Sequence, residues 1–372
     1  MIFLKKGFLI FFIFILIVSL FPLSAYTIEK ENNKLFCDND GNFSILIVSD
    51  PQCDTKEQWY EARNELEILI NRSNPQLVII NGDMNTKNQI PYDMWQLFIS
   101  PITSKNIAWS TTNGNHDPFV NRYYKMFKSF DGCLNSVVNH TNINYEPTRP
   151  MNYVIPVYSN DGKSLVFAVY GMDSVVSNKY GYEGLTKKQI NWYKQQSNAL
   201  KEQNGGNAVT SLVCLHIPLT QTIDMFYSST NKKVTKKKSG DKYNIFGITN
   251  QDGYGVENYS CENGTFVEKT YIHATAVEND RGFFNAVLEQ IDVNAIIFGH
   301  EHKTNMIGSY KGILLGFAGK LSTGCYSDNL CRGGRVISFN QNDPKNFTTE
   351  WLGALSTSKD QPKIYSDGTL AQ

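Results

Sequence analysis

The chain has 372 residues, 41% of them hydrophobic, enough for one large domain with a sizeable core. Its 35 basic and 35 acidic residues cancel. That balance excludes a broad nucleic-acid-binding surface, which needs a clear basic excess.

The N-terminal segment reads as an address rather than as fold. Lys5 and Lys6 precede an almost unbroken apolar run from Phe8 to Phe21, and Ser24-Ala25 offers a small-residue cleavage position. Residues 1–25 have the form of a secretory signal peptide. The alternative is an uncleaved signal anchor, because Gly7 to Leu23 approaches a bilayer-spanning length. The expected location is secreted or lumenal (including vacuolar), with membrane attachment only through an uncleaved N-terminal segment. Seven cysteines leave at least one thiol unpaired in an oxidising compartment. Cys325 and Cys331, close together in a Gly-rich loop, are the expected pair, and Cys214, inside an apolar run, the expected buried free thiol. N-glycosylation acceptors (Asn-x-Ser/Thr) begin at Asn42, Asn71, Asn139, Asn258, Asn263 and Asn346, in agreement with secretion.

Phe43 to Val48 is a β-branched strand that gives way to Ser49-Asp50-Pro51-Gln52, where Pro51 forces the chain out of the ladder. Lys56 to Asn71 carries Trp59, Ala62, Leu66, Ile68 and Leu69 at helical spacing, and Asn74-Pro75 breaks it. A second strand, Gln76 to Ile80, ends in Asn81-Gly82-Asp83. This strand–helix–strand succession is an α/β pattern. A helix around Tyr92 to Ile99 and a strand from Ile107 to Thr112 lead to Gly114-Asn115-His116-Asp117. Asn121 to Pro150 has no clear period and reads as a cap over one edge. Tyr153 to Tyr158 and Ser164 to Met172 read as paired strands, with Asp173 at the second strand's end. Glu183 to Leu200 is an amphipathic helix with Thr186 as N-cap.

Ala208 to Leu215 is a buried strand that stops at His216-Ile217-Pro218. The lysines between Ser228 and Lys242 read as a solvated insertion or, alternatively, as a lid attracting phosphate. Arg281 to Gln290 is a helix. The apolar run from Val293 then stops at Gly299 and delivers His300-Glu301-His302. Residues i and i+2 of an extended segment point the same way, so both imidazoles can face one site. Glu301 should point away from them, as a supporting or surface residue. Ile313 to Phe317 and Arg335 to Phe339 are late strands, and residues 356–372 read as a polar tail, unstructured beyond Thr357.

Apolar runs therefore end at Asp50, at Asp83, at Asn115-His116, at His216, and at His300 with His302. Strand C-termini of α/β sheets converge on one crevice, and imidazoles and carboxylates are metal ligands. The set predicts a metal site.

The series Asp50-Pro51-Gln52, Gly82-Asp83, Gly114-Asn115-His116-Asp117, Leu215-His216-Ile217-Pro218 and Gly299-His300-Glu301-His302 resembles the calcineurin-like metallophosphoesterase superfamily, from about Phe43 to Phe339. Arg281-Gly282-Phe283-Phe284, the block from Gly299 to Asn305 and Arg332 to Val336 resemble its single-domain purple-acid-phosphatase-like branch. The resemblance implies an α/β fold over residues 26–355, a four-layer α/β/β/α sandwich of two mixed β-sheets. It also implies two metal ions. The first would take Asp50, Asp83 and His302, with Gln52 as a candidate fourth ligand. The second would take Asp83, Asn115, His216 and His300, Asp83 bridging the two. The implied reaction is phosphoester hydrolysis by a metal-bound hydroxide, with His116 stabilising the transition state or protonating the leaving oxygen.

The expected substrate is a small phosphomonoester or a phosphoprotein. The alternatives are a phosphodiesterase or nucleotide pyrophosphatase, and a catalytically silent secreted binding protein. Two positions depart from the pattern. Gln52 stands where the superfamily commonly has His; a carboxamide oxygen suits Mn or Mg better than Zn or Fe. Thr86 stands where purple acid phosphatases carry a metal-binding Tyr, so no Fe(III)-tyrosinate centre is expected. His140 and His273 read as surface or hydrogen-bonding residues, and Tyr182, Tyr326 and Arg149 could frame a pocket.

Overall fold

The computed structural model describes residues 34–87, 89–117, 152–175, 185–222 and 282–371, with shorter stretches at 126–127, 129–130, 132–133, 177–178, 181–182, 225, 236–237, 245–247, 259–262 and 265–268. The N-terminal segment, Arg149, His140, His273 and most of the lysine-rich stretch lie outside these residues. Among the described residues no helix is long and apolar enough to cross a membrane.

Along the chain come β1 (Leu35–Phe36), β2 (Asn42–Val48), α1 (Lys56–Ser73), β3 (Leu77–Ile80), α2 (Tyr92–Thr103) and β4 (Ala108–Thr111). Then follow β5 (Tyr153–Tyr158), β6 (Leu165–Met172), α3 (Lys187–Gln203), β7 (Ser211–Leu215), α4 (Phe283–Gln290) and β8 (Val293–Phe298). The last strands are β9 (Ile307–Tyr310), β10 (Ile313–Phe317), β11 (Gly333–Asn340), β12 (Thr348–Gly353) and β13 (Ile364–Tyr365).

One sheet has six strands in the order β13-β12-β11-β2-β3-β4, with β2, β3 and β4 mutually parallel. The other has eight, in the order β1-β5-β6-β7-β8-β10-β9 with Ile245–Phe246 at the edge, and β6, β7, β8 and β10 run parallel. Strand periodicity assigns the faces. In β2, Phe43, Ile45 and Ile47 enter the cluster between the sheets, while Leu46 and Val48 pack outward with Trp59, Leu66 and Leu69 of α1 and Trp95 and Phe98 of α2. In β8, Ala295 and Ile297 face inward, while Ile296 and Phe298 face Tyr193 of α3 and Phe283 and Phe284 of α4. The result is the expected sandwich of two mixed sheets between helical layers.

Local sequence sets the helix ends. Thr55 and Gln58 form a capping box at the start of α1, and Asn74, at φ 43°, closes it in the left-handed conformation ahead of Pro75. Thr186 and Gln189 do the same for α3. That helix begins at Lys187, directly after Thr186, the expected N-cap.

Two further expectations are corrected. Residues beyond Thr357 are not loose: β13 pairs with β12, Gly353 N–H donates to Asp360, and the Gln361 amide donates to the Asn305 carbonyl. Polar side chains tie this segment down where apolar periodicity is missing. Cys325 and Cys331 are both free thiols: Cys325 is exposed, whereas Cys331 lies in a 3₁₀ turn that directs it into the interior. Strands β9 and β12 were not anticipated; each is short and mixed in polarity. Cys214 is, as expected, a buried free thiol.

Candidate metal centre

Both sheets deliver their parallel strands to one edge. From the six-stranded sheet come Asp50 after β2, Asp83 after β3, and Asn115 and His116 after β4; from the eight-stranded sheet come His216 after β7 and His300 and His302 after β8. Asp50, Gln52, Asp83, His216, His300 and His302 are buried, and Asn115 and His116 are half-buried.

Bringing two sheet edges this close requires bare backbone. A Cβ on Gly299 would sit 2.2 Å from the Ser49 hydroxyl, and one on Gly82, at φ 90°, would meet both Gly114 N and His216 Nδ1 at 2.6 Å. This is the physical content of the Gly-Asp and Gly-His motifs. The ligand residues are themselves bent: Asp50, Gln52, Asp83 and His300 have φ of 53°, 41°, 56° and 68°. Left-handed backbone in four non-glycine residues is strain concentrated where chemistry is expected.

The geometry forms two groups sharing Asp83. Asp83, His216 and His300 offer ligand atoms all within 4.8 Å of one another, and so do Asp50, Asp83 and His302. Asn115 Oδ1 joins the former, 2.9 Å from His300 Nδ1 and 3.2 Å from His216 Nε2. The histidines are oriented from behind. His216 Nδ1 lies 2.8 Å from the Asn81 carbonyl and His302 Nδ1 2.9 Å from the Tyr326 carbonyl, so each ring donates there and turns a bare Nε2 inward. His216 Nε2 is 3.4 Å from Asp83 Oδ2, and His302 Nε2 is 3.3 Å from Asp50 Oδ1.

Several features fit a cation pair. Asp50 Oδ1 and Gln52 Oε1 are buried without hydrogen-bond partners, and the donor set is anionic oxygen plus imidazole. Burial opposes charge on His216, but the Asp83 and Asp50 carboxylates push its pKa up to about 10. Burial and the charge on His216 push His300 down to about 3. The two carboxylates thus call for positive charge at this spot, which a bound cation would supply in place of a proton on His216. Gln52 is also within reach, although its amide nitrogen donates to Asp83 Oδ2 at 2.9 Å.

His116 is brought to the same edge, its backbone N–H donating to Asp83 Oδ1 at 2.8 Å. Thr86 is engaged with the Asp54 carboxylate through its N–H and hydroxyl. Asp173 stays outside both ligand groups and accepts from Val175 N–H and the Asn113 amide. Glu301 is not a surface residue: it is 1% exposed, and burial drives its carboxyl well above the usual range, so it holds its proton. Tyr326, half-buried, stacks on His302 with ring centroids 4.1 Å apart.

Sequence reasoning gave no role to three supporting residues. Asn81 donates to the carbonyls of Leu215 and Ile297, joining the two sheets behind the ligands. Asp117 accepts from the N–H groups of Asp83, Met84 and Gly114, and burial together with Asp83 pushes its pKa up to about 8. Lys320, buried, donates from Nζ to the Asp50 carbonyl at 2.7 Å. Motif position could have flagged Asn81 and Asp117; nothing local marks Lys320.

The sequence profile described as calcineurin-like phosphoesterase matches residues 43–304. The chain is 23% identical, over 84% of its length and 80% of the relative's, to a "probable inactive purple acid phosphatase 29" of Arabidopsis thaliana. Among solved structures it is similar to a dimetal phosphatase from Danio rerio, with a TM-score of 0.50, 9% identity and coverage of 87% of this chain and 99% of the other. A purple acid phosphatase from yellow lupin seeds has a TM-score of 0.46 at 10% identity, covering 87% of this chain and 54% of its own.

Proposed function

Because the chain belongs to the calcineurin-like phosphoesterase family, we propose that it is a secreted or lumenal dinuclear-metal hydrolase of phosphomonoesters, on small molecules or phosphoproteins. The observation that carries this reading is the pair of buried ligand groups sharing Asp83. Asp50, Asp83 and His302, joined by Gln52 through its amide oxygen, would hold one ion. Asp83, Asn115, His216 and His300 would hold the other. When bound, the ions supply Lewis acidity that activates water and neutralises phosphoryl oxygens. The candidate ions are Fe, Zn, Mn and Mg.

The chain's own residues do the rest. Asn81 and the Tyr326 carbonyl hold the ligand imidazoles in one tautomer. Asp117 fixes the backbone on which Asp83 turns. His116, at the half-open mouth, supplies a proton to the leaving oxygen. The test is turnover of an aryl phosphomonoester and the matching diester with each metal supplied in turn. Monoester turnover lost in His116→Ala supports the proposal; dominant diester turnover replaces it with a phosphodiesterase.

One observation favours a second reading, a catalytically silent binding protein. Gln52 presents an amide N–H to Asp83 where the family commonly presents imidazole, and the Arabidopsis relative carries the name "probable inactive". Asn115→Ala separates the two: it abolishes turnover in an enzyme and leaves partner binding intact in a silent scaffold.

A further inference from the structure

Three of the Asn-x-Ser/Thr motifs fall within the described residues: Asn42-Phe43-Ser44, Asn71-Arg72-Ser73 and Asn346-Phe347-Thr348. They come from distant parts of the chain yet meet at one groove of about 520 Å³, lined by Asn42, Ser44, Ser73, Asn346 and Thr348 among others. Asn71 is exposed in the last turn of α1, two residues before Ser73. The sandwich explains the meeting. β2 starts at Asn42, β11 ends opposite it at Asn340, β12 starts at Thr348, and α1 ends where the chain enters β3. All lie at the N-terminal end of the parallel strands, whereas the metal centre lies beyond their C-terminal end. The seven residues of β2 alone separate the two by about 20 Å at ~3.3 Å per residue.

The acceptor atoms are available. Asn42, Asn71 and Asn346 are all exposed. Asn42 Oδ1 accepts from Asn340 Nδ2 at 2.9 Å, which leaves the Asn42 Nδ2, the atom that would carry sugar, directed elsewhere.

We propose that this groove is an N-glycosylated face, carrying oligosaccharide on Asn42, Asn71 and Asn346 and keeping it away from the metal edge. In the transfer, Asn Nδ2 bonds to the anomeric carbon of a lipid-diphosphate-linked oligosaccharide. The carbon–oxygen bond to the diphosphate breaks, the amide loses one proton, and the lipid diphosphate departs. Attachment precedes folding, so the native surface must leave room for a bulky, solvated chain, and an open groove does. Three such chains would cover the end of the sandwich and leave substrate access untouched.

The inference rests on the secretory route proposed above, and the test separates the two. The full chain is produced in eukaryotic cells twice, with its own N-terminus and with an unrelated cleavable secretion leader. Secreted protein is treated with peptide N-glycosidase in ¹⁸O water, and the converted residues are located by mass spectrometry. The expected result is label at Asn42, Asn71 and Asn346, with one step of electrophoretic mobility lost in each of Asn42→Gln, Asn71→Gln and Asn346→Gln. Leader-driven protein that is secreted without label at these three positions overturns the proposal. Label with the leader but retention in the cytosol with the native N-terminus supports the acceptor face and overturns the route.

Discussion

The backbone N–H of His300 donates to Oδ2 of Asp50 at 2.9 Å, joining the segments that follow β8 of one sheet and β2 of the other. Both residues have left-handed backbone, at φ 68° and 53°. The bond commits one carboxylate oxygen to scaffolding and leaves Oδ1 buried among the ligand groups, 3.3 Å from His302 Nε2. The two sheets are thus fastened through the residues that would hold metal.

Asp83 is common to both ligand groups, so Asp83→Asn should lower bound metal at both sites rather than at one. Elemental analysis should show loss of most metal. The thermal shift on adding Mn or Zn, worth about 2.7 kcal/mol at a hundredfold excess over Kd, should disappear. Retention of one full equivalent would show that the groups are independent.

Gln52 sits at φ 41°, a conformation that histidine tolerates better than most residues. Gln52→His should therefore fold and tighten zinc binding by roughly tenfold, about 1.4 kcal/mol. Competition with a zinc-binding dye measures it. Weaker binding in this variant would mean that position 52 does not face the first ion.

His116 donates its backbone N–H to Asp83, and its ring is in neither ligand group. His116→Ala should leave metal content unchanged while turnover of an aryl phosphate falls by about 10²–10⁴. A parallel fall in bound metal would assign it to the ligands instead.

Asn81 satisfies the carbonyls of Leu215 and Ile297 and accepts from the Thr112 hydroxyl. Asn81→Ala strands these buried groups and should cost about 1–3 kcal/mol in urea unfolding. Metal affinity should drop with it, because the Asn81 backbone carbonyl that orients the His216 ring is then held less firmly.

Asp292 lies far from this edge, beneath α3, where Tyr193 donates to Oδ1 at 2.5 Å and Tyr170 to Oδ2 at 3.3 Å. Burial raises its pKa despite those donors. The folded state therefore holds a proton that the unfolded chain releases near pH 4. Its stabilising contribution is complete below that pH and is lost as pH rises through the folded value. Relative to Asp292→Asn, the native protein should lose urea midpoint steadily over this window. A constant difference across pH would show that Asp292 ionises normally.

Much of the site was legible in the sequence because the signal is local. A buried strand alternates faces every residue, so Ile45 and Ile47 against Leu46 and Val48 already state which layers exist. A polar ligand placed at the end of such a run, as at Asp50, Asp83, His216 and His300, must emerge at the sheet's C-terminal edge. What the sequence could not state were contacts between positions far apart in the chain. Lys320 reaches the Asp50 carbonyl across 270 residues, and the Tyr326 carbonyl, which orients His302, belongs to an irregular loop without period. The C-terminal segment looked loose because polar hydrogen bonds leave no spacing to read. The ligands and layers were set by local patterning; the orientation of each ligand, and the gathering of three glycosylation motifs at the far end, were decided by packing two sheets face to face.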